Sequence, residues 1–375
     1  MKIKIWKINK LEKICEILDN KRVPISQKDR ISGIYPYYGA SGIVDYIDKY
    51  IFDEELVLIG EDGAKWDAFE NSAFIASGKY WVNNHAHILK PNNEILINKF
   101  LVYFLNYSNL EKYITGATVK KLNQQKLKQI EIPLPPLKEQ ERIVGILDES
   151  FAKIDESIKI LEQNLLNLDE LMQSALQKAF NPLNDDTKEN YQLPQSWEWK
   201  SLEEISENIS AGGDKPKNCT ESKTAKNQIP VYANGVNNNG LVGYTDKATI
   251  IKPSLTISAR GTIGFVCIRK EPYFPIVRLI SLIPCENILC LHYLYFCLNF
   301  FIAKGEGSSI PQLTIPKFKS LQIPLPPLKE QEQIAKHLDF VFEKAKALKE
   351  LYTKELKDYE ELKQSLLDKA FKGEL

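Results

Sequence analysis

The groups in this 375-residue chain that first invite a chemical reading are Asn83-Asn84-His85-Ala86-His87, with two imidazoles at alternate positions. Alternate residues of a strand share a face, so His85 and His87 suggest a metal. Two ligands do not close a site, and no nearby cysteine or carboxylate pair completes one, so histidines satisfied by structural hydrogen bonds are preferred and no metal is expected. Asn83, Asn84 and His85 also carry donors and acceptors of the kind that a nucleic acid accepts, as an alternative to a purely structural role. Asp214…Glu221-Ser222-Lys223 imitates a nuclease carboxylate–lysine spacing, but in a polar loop. The chain has no GxxxxGK[ST] phosphate loop, no Asn/Asp-Pro-Pro-Tyr/Phe segment of adenine methyltransferases and no glycine-rich cofactor turn. No catalytic residue is assigned, and no cofactor is expected on this chain.

What remains permits contact with a polyanion without demanding it. Lys120 and Lys121 follow Gly116-Ala117-Thr118 and precede Asn123, Gln124, Gln125, Lys126 and Lys128. Lysines pair with phosphates and amides read adenine edges; a solvated helix face is the alternative. Arg260-Gly261-Thr262 follows a strand-like run and can offer a guanidinium to guanine or phosphate, or pair with an acidic neighbour. Its match in the first half of the chain is Asp62-Gly63, with Lys65 just beyond. Lys215, Lys217, Lys223 and Lys226 lie in a Gly/Lys/Asn loop as plausible phosphate contacts. The counterpart of the Lys120 loop, 305–312, has only Lys304 and Glu306 nearby, which predicts weaker anchoring there.

These candidates hang on a duplicated frame. Ile132-Pro-Leu-Pro-Pro-Leu-Lys-Glu-Gln-Glu141 recurs letter for letter as 323–332, an offset of 191 residues that continues without a gap to Ala179-Phe180 and Ala370-Phe371. Upstream the repeat is looser: Trp6-Lys7 with Trp199-Lys200, Gly42-Ile-Val-Asp-Tyr46 with Gly240-Leu-Val-Gly-Tyr244, Ile59…Gly63 with Ile257…Gly261. The order is module, helix, module, helix. The helices are near-duplicates and the modules have diverged, as two units with one mechanical role and different ligands would.

The prolines bar helix at 133–136. Beyond them, apolar residues recur at steps of three and four, as in a coiled-coil seam. The first segment gives Leu147, Ile154, Ile158, Leu161, Leu165 and Leu168; the second gives Leu338, Leu348, Tyr352, Leu356 and Leu362, with slips in register. Two stripes of equal length predict mutual pairing, and antiparallel pairing is preferred. About 43 helical residues at roughly 1.5 Å each span about 64 Å. The modules read as mixed α and β: 56–59, 72–76, 255–258 and 265–268 as strands, 100–106 and 291–300 as buried helices. The expected fold is α+β, two mixed modules joined by two long helices in an antiparallel coiled coil. The expected boundaries are module 1–131, helical region 132–180, linker 181–196, module 197–322 and helical region 323–375.

Composition sets no obstacle. Hydrophobic residues make up 43% and charged residues 26%. No run approaches the ~20 apolar residues of a membrane span, and six cysteines without a CxxC pair read as buried small hydrophobes in a reducing compartment. A cytoplasmic protein with no membrane partner is expected. The net charge is +0, yet residues 1–131 carry +3 and 197–322 carry +4, against −7 for the rest. Local basic patches on the modules are therefore allowed.

The doubled Pro-Leu-Pro-Pro-Leu-Lys-Glu-Gln ahead of a long helix resembles the specificity subunit of type I restriction–modification systems. So do Leu193-Pro194…Trp197-Glu198-Trp199, Trp81-Val-Asn-Asn-His-Ala-His87 and Ser258-Ala-Arg-Gly-Thr-Ile-Gly264. The resemblance covers nearly the whole chain, although the first module lacks the Leu-Pro lead-in of the second. It implies a non-catalytic subunit in which each module is a target recognition domain reading one half of a split sequence in double-stranded DNA. The paired helices would fix the gap and dock two methyltransferase subunits, which bind S-adenosylmethionine and methylate adenine at N6. Two translocating restriction subunits would complete a nuclease; a methylation-only system, or a coiled-coil adaptor that binds no DNA, are the alternatives. Half-sites on one face of B-DNA lie about one turn, roughly 34 Å, apart.

Overall fold

The computed structural model describes residues 6–116, 118, 120–181, 183, 192–302, 305–306 and 313–375. The chain divides into two compact units, one of Met1–Glu162 with Thr353–Leu375, the other of Gln163–Tyr352.

In the first unit the run Leu56-Val57-Leu58-Ile59 is apolar at every position, and it forms a strand buried on both faces. It lies inside a four-stranded antiparallel sheet ordered Cys15–Ile17, Ala86–Pro91, Leu56–Gly60, Ala73–Ala76. One face, through Val57 and Ile59, packs on the helix Asn98–Tyr107 and on the base of the first long helix at Ile143 and Leu147. The other, through Leu56 and Leu58, meets Phe52, Tyr80 and Val82 of a second sheet. That sheet runs Gly42–Ile47, Ser32–Gly39, Lys79–Val82, Phe52–Asp53, with Tyr37 opposite Trp81 in a parallel pair. Lys7–Lys10 pairs with Glu131–Leu134, which puts Pro133 in a two-stranded ribbon rather than inside a sheet.

The second unit repeats the plan. Its four-stranded antiparallel sheet runs Ser206–Ala211, Ile280–Pro284, Ser254–Ile257, Val266–Arg269. Its smaller sheet runs Leu241–Thr245, Ile229–Tyr232, Phe274–Pro275, again with a parallel pair, Val231 opposite Phe274. The helix Leu291–Phe301 packs where Asn98–Tyr107 does in the first unit.

The long helices are Leu137–Phe180 and Leu328–Lys372. Within the first unit Arg142 donates to the Leu375 carbonyl at 3.0 Å and Lys363 pairs with Asp155, so the two run antiparallel. Within the second unit Lys349 pairs with Asp169, while Leu176 and Phe180 share a core with Ala335 and Leu338. Leu147, Ile154, Leu161 and Leu168 are buried at strict seven-residue spacing, with Ile158 and Leu165 half-buried beside them. Leu338 and Ala345 are buried, and Tyr352 and Leu356 half-buried, on the other helix. Two expected seam residues are corrected: Leu348 is 38% exposed and Leu362 45%. From Ala345 the steps of four and three run to Lys349, Tyr352, Leu356, Tyr359 and Lys363. The stems of the two lysines lie in the stripe and their ammonium groups reach out to Asp169 and Asp155. An apolar pattern favours the leucine one residue early.

Cys15 and Cys297 are buried, but Cys219, Cys267, Cys285 and Cys290 are only partly so, which corrects the expectation for those four. Among the described residues no helix is long and apolar enough to cross a membrane. The expected linker lies mostly outside the described residues.

Candidate nucleic-acid interface

At one end of the first unit's main sheet the loops are tied by buried charge. His87, fully buried on the strand Ala86–Pro91, has Nδ1 2.6 Å from Asp19 and donates from Nε2 to the Leu122 carbonyl at 2.6 Å. Asp19 also accepts from Gln124 (3.0 Å) and from the Ile88 amide (3.0 Å). Arg22 reaches Glu61 at 2.5 Å and the Ala86 carbonyl at 3.0 Å. Lys121 meets Glu61 at 2.8 Å. Burial raises both carboxyls, yet both lie below the ordinary carboxylate range. For Asp19 the hydrogen bond and charge of His87 prevail; for Glu61 the hydrogen bonds from Lys121 and Arg22 do.

Asp19, Glu61 and His87 hold ligand atoms within 4.8 Å of one another. This carboxylate pair comes from distant parts of the chain, so local spacing missed it. Arg22 and Lys121 already face the two carboxylates, and the cluster suits an ion-pair clasp better than a cation cage. His85 does not share a face with His87. It lies in the turn before the strand, exposed, with Nδ1 2.5 Å from Asp62.

The clasp fixes the loop expected to touch DNA. The Lys121 amide and carbonyl pair with those of Thr115 (2.8 and 2.9 Å), and the Leu122 amide donates to the Glu61 carbonyl (2.8 Å). Lys120 points outward to Glu111 at 2.9 Å. Asn123 caps the helix Gln124–Leu127, on which Lys126 is half-buried. Lys65 is exposed beside Glu70 at 3.5 Å. Asn84 is exposed. Asn83 is buried and accepts the His85 amide at 2.8 Å, so it shapes the turn. The structure thus gathers Asp62, His85 and Lys121, with Lys120 adjoining; Lys65 and Lys126 have other neighbours.

The second unit has the same frame and other chemistry. His87 opposes Ile59, and Ile280 opposes Ile257. Leu122 donates to Glu61, and Leu313 to Ala259 at 3.2 Å. Glu61, Asp62, His85 and His87 therefore correspond to Ala259, Arg260, Arg278 and Ile280, so alanine stands where the clasp has Glu61 and isoleucine where it has His87. Arg260 is exposed ahead of Gly261, which takes φ +70° at the turn. Thr262 starts the strand Thr262–Ile263, paired with Gly305–Glu306, and its hydroxyl is buried. Lys215 and Lys217 are exposed just beyond Gly213; Lys226 is exposed near Asp246 at 3.6 Å. The Lys304 and 307–312 part of the expected loop lies outside the described residues.

Sequence reasoning passed over Asn234 and the Val277-Arg278 turn. Asn234 accepts from the Ala259 amide (2.8 Å) and donates to the Val277 carbonyl (2.6 Å). Val277 and Arg278 take φ of 52° and 59°, a left-handed conformation costing about 1–2 kcal/mol per residue. The Asn234-Gly235 dipeptide was the available signal. The turn itself was hidden because Arg278 is the single polar residue in the otherwise apolar run Phe274–Ile280.

A model of the type I restriction modification DNA specificity domain matches residues 3–166 and again 194–357. A relative from Haemophilus influenzae, named as a type I restriction enzyme specificity subunit, is 33% identical over 356 residues, 89% of this chain and 86% of its own length. Among solved structures, a chain from work on assembly and conformational transition of the type I R-M system aligns with a TM-score of 0.74 at 20% identity, covering 99% of both chains. The HsdS subunit of Thermoanaerobacter tengcongensis aligns at 0.60, also at 20% identity, over 99% of this chain and 98% of its own.

Proposed function

This chain belongs to the type I restriction modification DNA specificity family, and from that premise we propose that it is the non-catalytic subunit that selects the DNA sequence. Each module, 1–131 and 197–322, reads one half of a split target. The helical regions 132–180 and 323–375 set the gap and dock two methyltransferase subunits, which carry the S-adenosylmethionine. Translocating restriction subunits joining that assembly make it a nuclease. The protein works in the cytoplasm, where the DNA is.

One observation carries this reading. A single strand frame, matched twice by the family's domain, carries different groups at corresponding positions: exposed His85 beside half-buried Asp62 and Lys121 in one unit, exposed Arg260 and Arg278 in the other. Identical frames with unlike rims suit two unlike half-sites.

Mapping methylated adenines in host cells with and without the gene tests it. A two-part motif that disappears with the gene is expected; an unchanged methylome overturns the proposal. Inserting four residues in phase into both long helices is expected to alter the gap and leave the half-sites intact.

A further inference from the structure

We propose that Arg278 is a specificity-determining residue of the second module, presenting its guanidinium to the acceptor edge of a guanine. The inference rests on the DNA-reading function above and goes one residue further.

The carrying observation is a strained turn. A β-branched residue in the left-handed region is an outlier, and such outliers persist only where neighbours over-determine them. Val277 at φ 52° is followed by Arg278 at 59°. Both are held from several sides. The Val277 amide donates to the Gly213 carbonyl and the Arg278 amide to the Gly212 carbonyl, each at 2.8 Å. The Val277 carbonyl accepts from Asn234, which also grips the Ala259 amide next to Arg260. The loops bearing Lys215, Lys217 and Arg260 are thus fastened to the turn, with Asp214 as the acid among them. The Arg278 side chain itself is exposed.

A phosphate accepts a cation from many directions, and the flexible lysines of the neighbouring loop suffice for it. A guanidinium on a fixed backbone suits a planar, bidentate acceptor pair such as guanine O6 and N7. The corresponding residue of the first module is His85, paired with Asp62 at 2.5 Å. In the second module the Asp62 position is Arg260, so the acceptor partner is replaced by a second cation. One fold position thus carries opposite recognition chemistry in the two modules.

The test uses the full complex with its methyltransferase subunits, read by methylation mapping and by binding to duplexes varied one base pair at a time. Arg278→Asn suits the left-handed backbone and removes the guanidinium; Arg278→Lys keeps the charge and removes the fork. Both are expected to relax discrimination at one guanine of the second half-site, by about 5- to 150-fold when one bidentate pair is removed. The first half-site and the gap stay as they were. A uniform loss of affinity with an unchanged motif, restored by Arg278→Lys, would make Arg278 a phosphate contact and overturn the proposal, as would no change in either variant. Should the wild-type complex show no two-part motif, the function fails before Arg278 is reached.

Discussion

Gln140 and Gln331 make the same three hydrogen bonds, 191 residues apart in the chain. Gln140 accepts from the Ile97 amide (2.9 Å) and donates to the carbonyls of Ile95 and Pro135 (2.8 Å each). Gln331 accepts from Cys290 (2.9 Å) and donates to Ile288 (2.9 Å) and Pro326 (2.8 Å). Both side chains are fully buried. The glutamine of the repeated motif therefore fastens the start of each long helix to the loop before the module's own helix. Replacing either by leucine leaves buried backbone groups without partners. We expect a loss of about 2–4 kcal/mol, confined to the unit that holds the substitution. Hydrogen exchange checks it: the Ile97 amide accelerates in Gln140→Leu and the Cys290 amide in Gln331→Leu. An unchanged rate in either variant contradicts the staple.

The seam supplies a contrasting pair. Leu161 is buried between the long helices, whereas Leu348 lies one residue off the stripe and 38% exposed. Leu161→Asp buries a charge without a partner and is expected to cost about 3 kcal/mol or more. Leu348→Asp is expected to stay within about 0.5 kcal/mol of the parent. Urea midpoints separate the two; equal losses would return Leu348 to the seam.

That contrast marks how far the sequence could be read. The duplication, the long helices and the buried strands were legible because they rest on repetition and on hydrophobic period. The lysines of the seam were not, since a lysine whose stem is buried and whose ammonium is wet looks polar in any pattern. The clasp was hidden for another reason. Asp19, Glu61 and His87 come from three separate segments and meet only through sheet register, such as Ile59 opposite His87. Arg278 was missed because backbone conformation, not residue type, singles it out.

The clasp should make the first unit sensitive to acid. Asp19 and Glu61 both titrate below their ordinary values in the folded state, through His87 and through Lys121 and Arg22 respectively. A depressed carboxyl contributes stability that is complete above its unfolded value, near 4, and is lost as pH falls through the folded value. Stability of the first unit is therefore expected to be flat in these two groups from pH 7 to about 5 and to decline below about 4. Asp19→Asn keeps an acceptor for the Ile88 amide but loses the charge facing His87, so its acid limb should be shallower. Urea midpoints between pH 7 and pH 3 decide it, and parallel curves for parent and variant would remove Asp19 from the account.

Lys120 and Lys121 are neighbours in sequence with different work to do. Lys120 is exposed and donates to both carboxylate oxygens of Glu111, at 2.9 and 3.1 Å, a solvent-facing pair worth little and easily exchanged for a phosphate. Lys121 is turned back onto Glu61, inside the clasp. Lys120→Glu is expected to leave the unfolding midpoint unchanged while weakening duplex binding. It should also flatten the dependence of log affinity on log salt by about 0.9 for each phosphate no longer neutralised. Lys121→Glu sets a third acid beside Glu61 and Asp62 and is expected to lower stability by about 1–3 kcal/mol. Lys121→Met, which removes the charge without adding repulsion, should cost less. Fluorescence anisotropy across a salt series, paired with urea unfolding of the same preparations, separates anchoring from architecture. If Lys120→Glu left both affinity and salt slope at parental values, this loop would not lie against the DNA backbone.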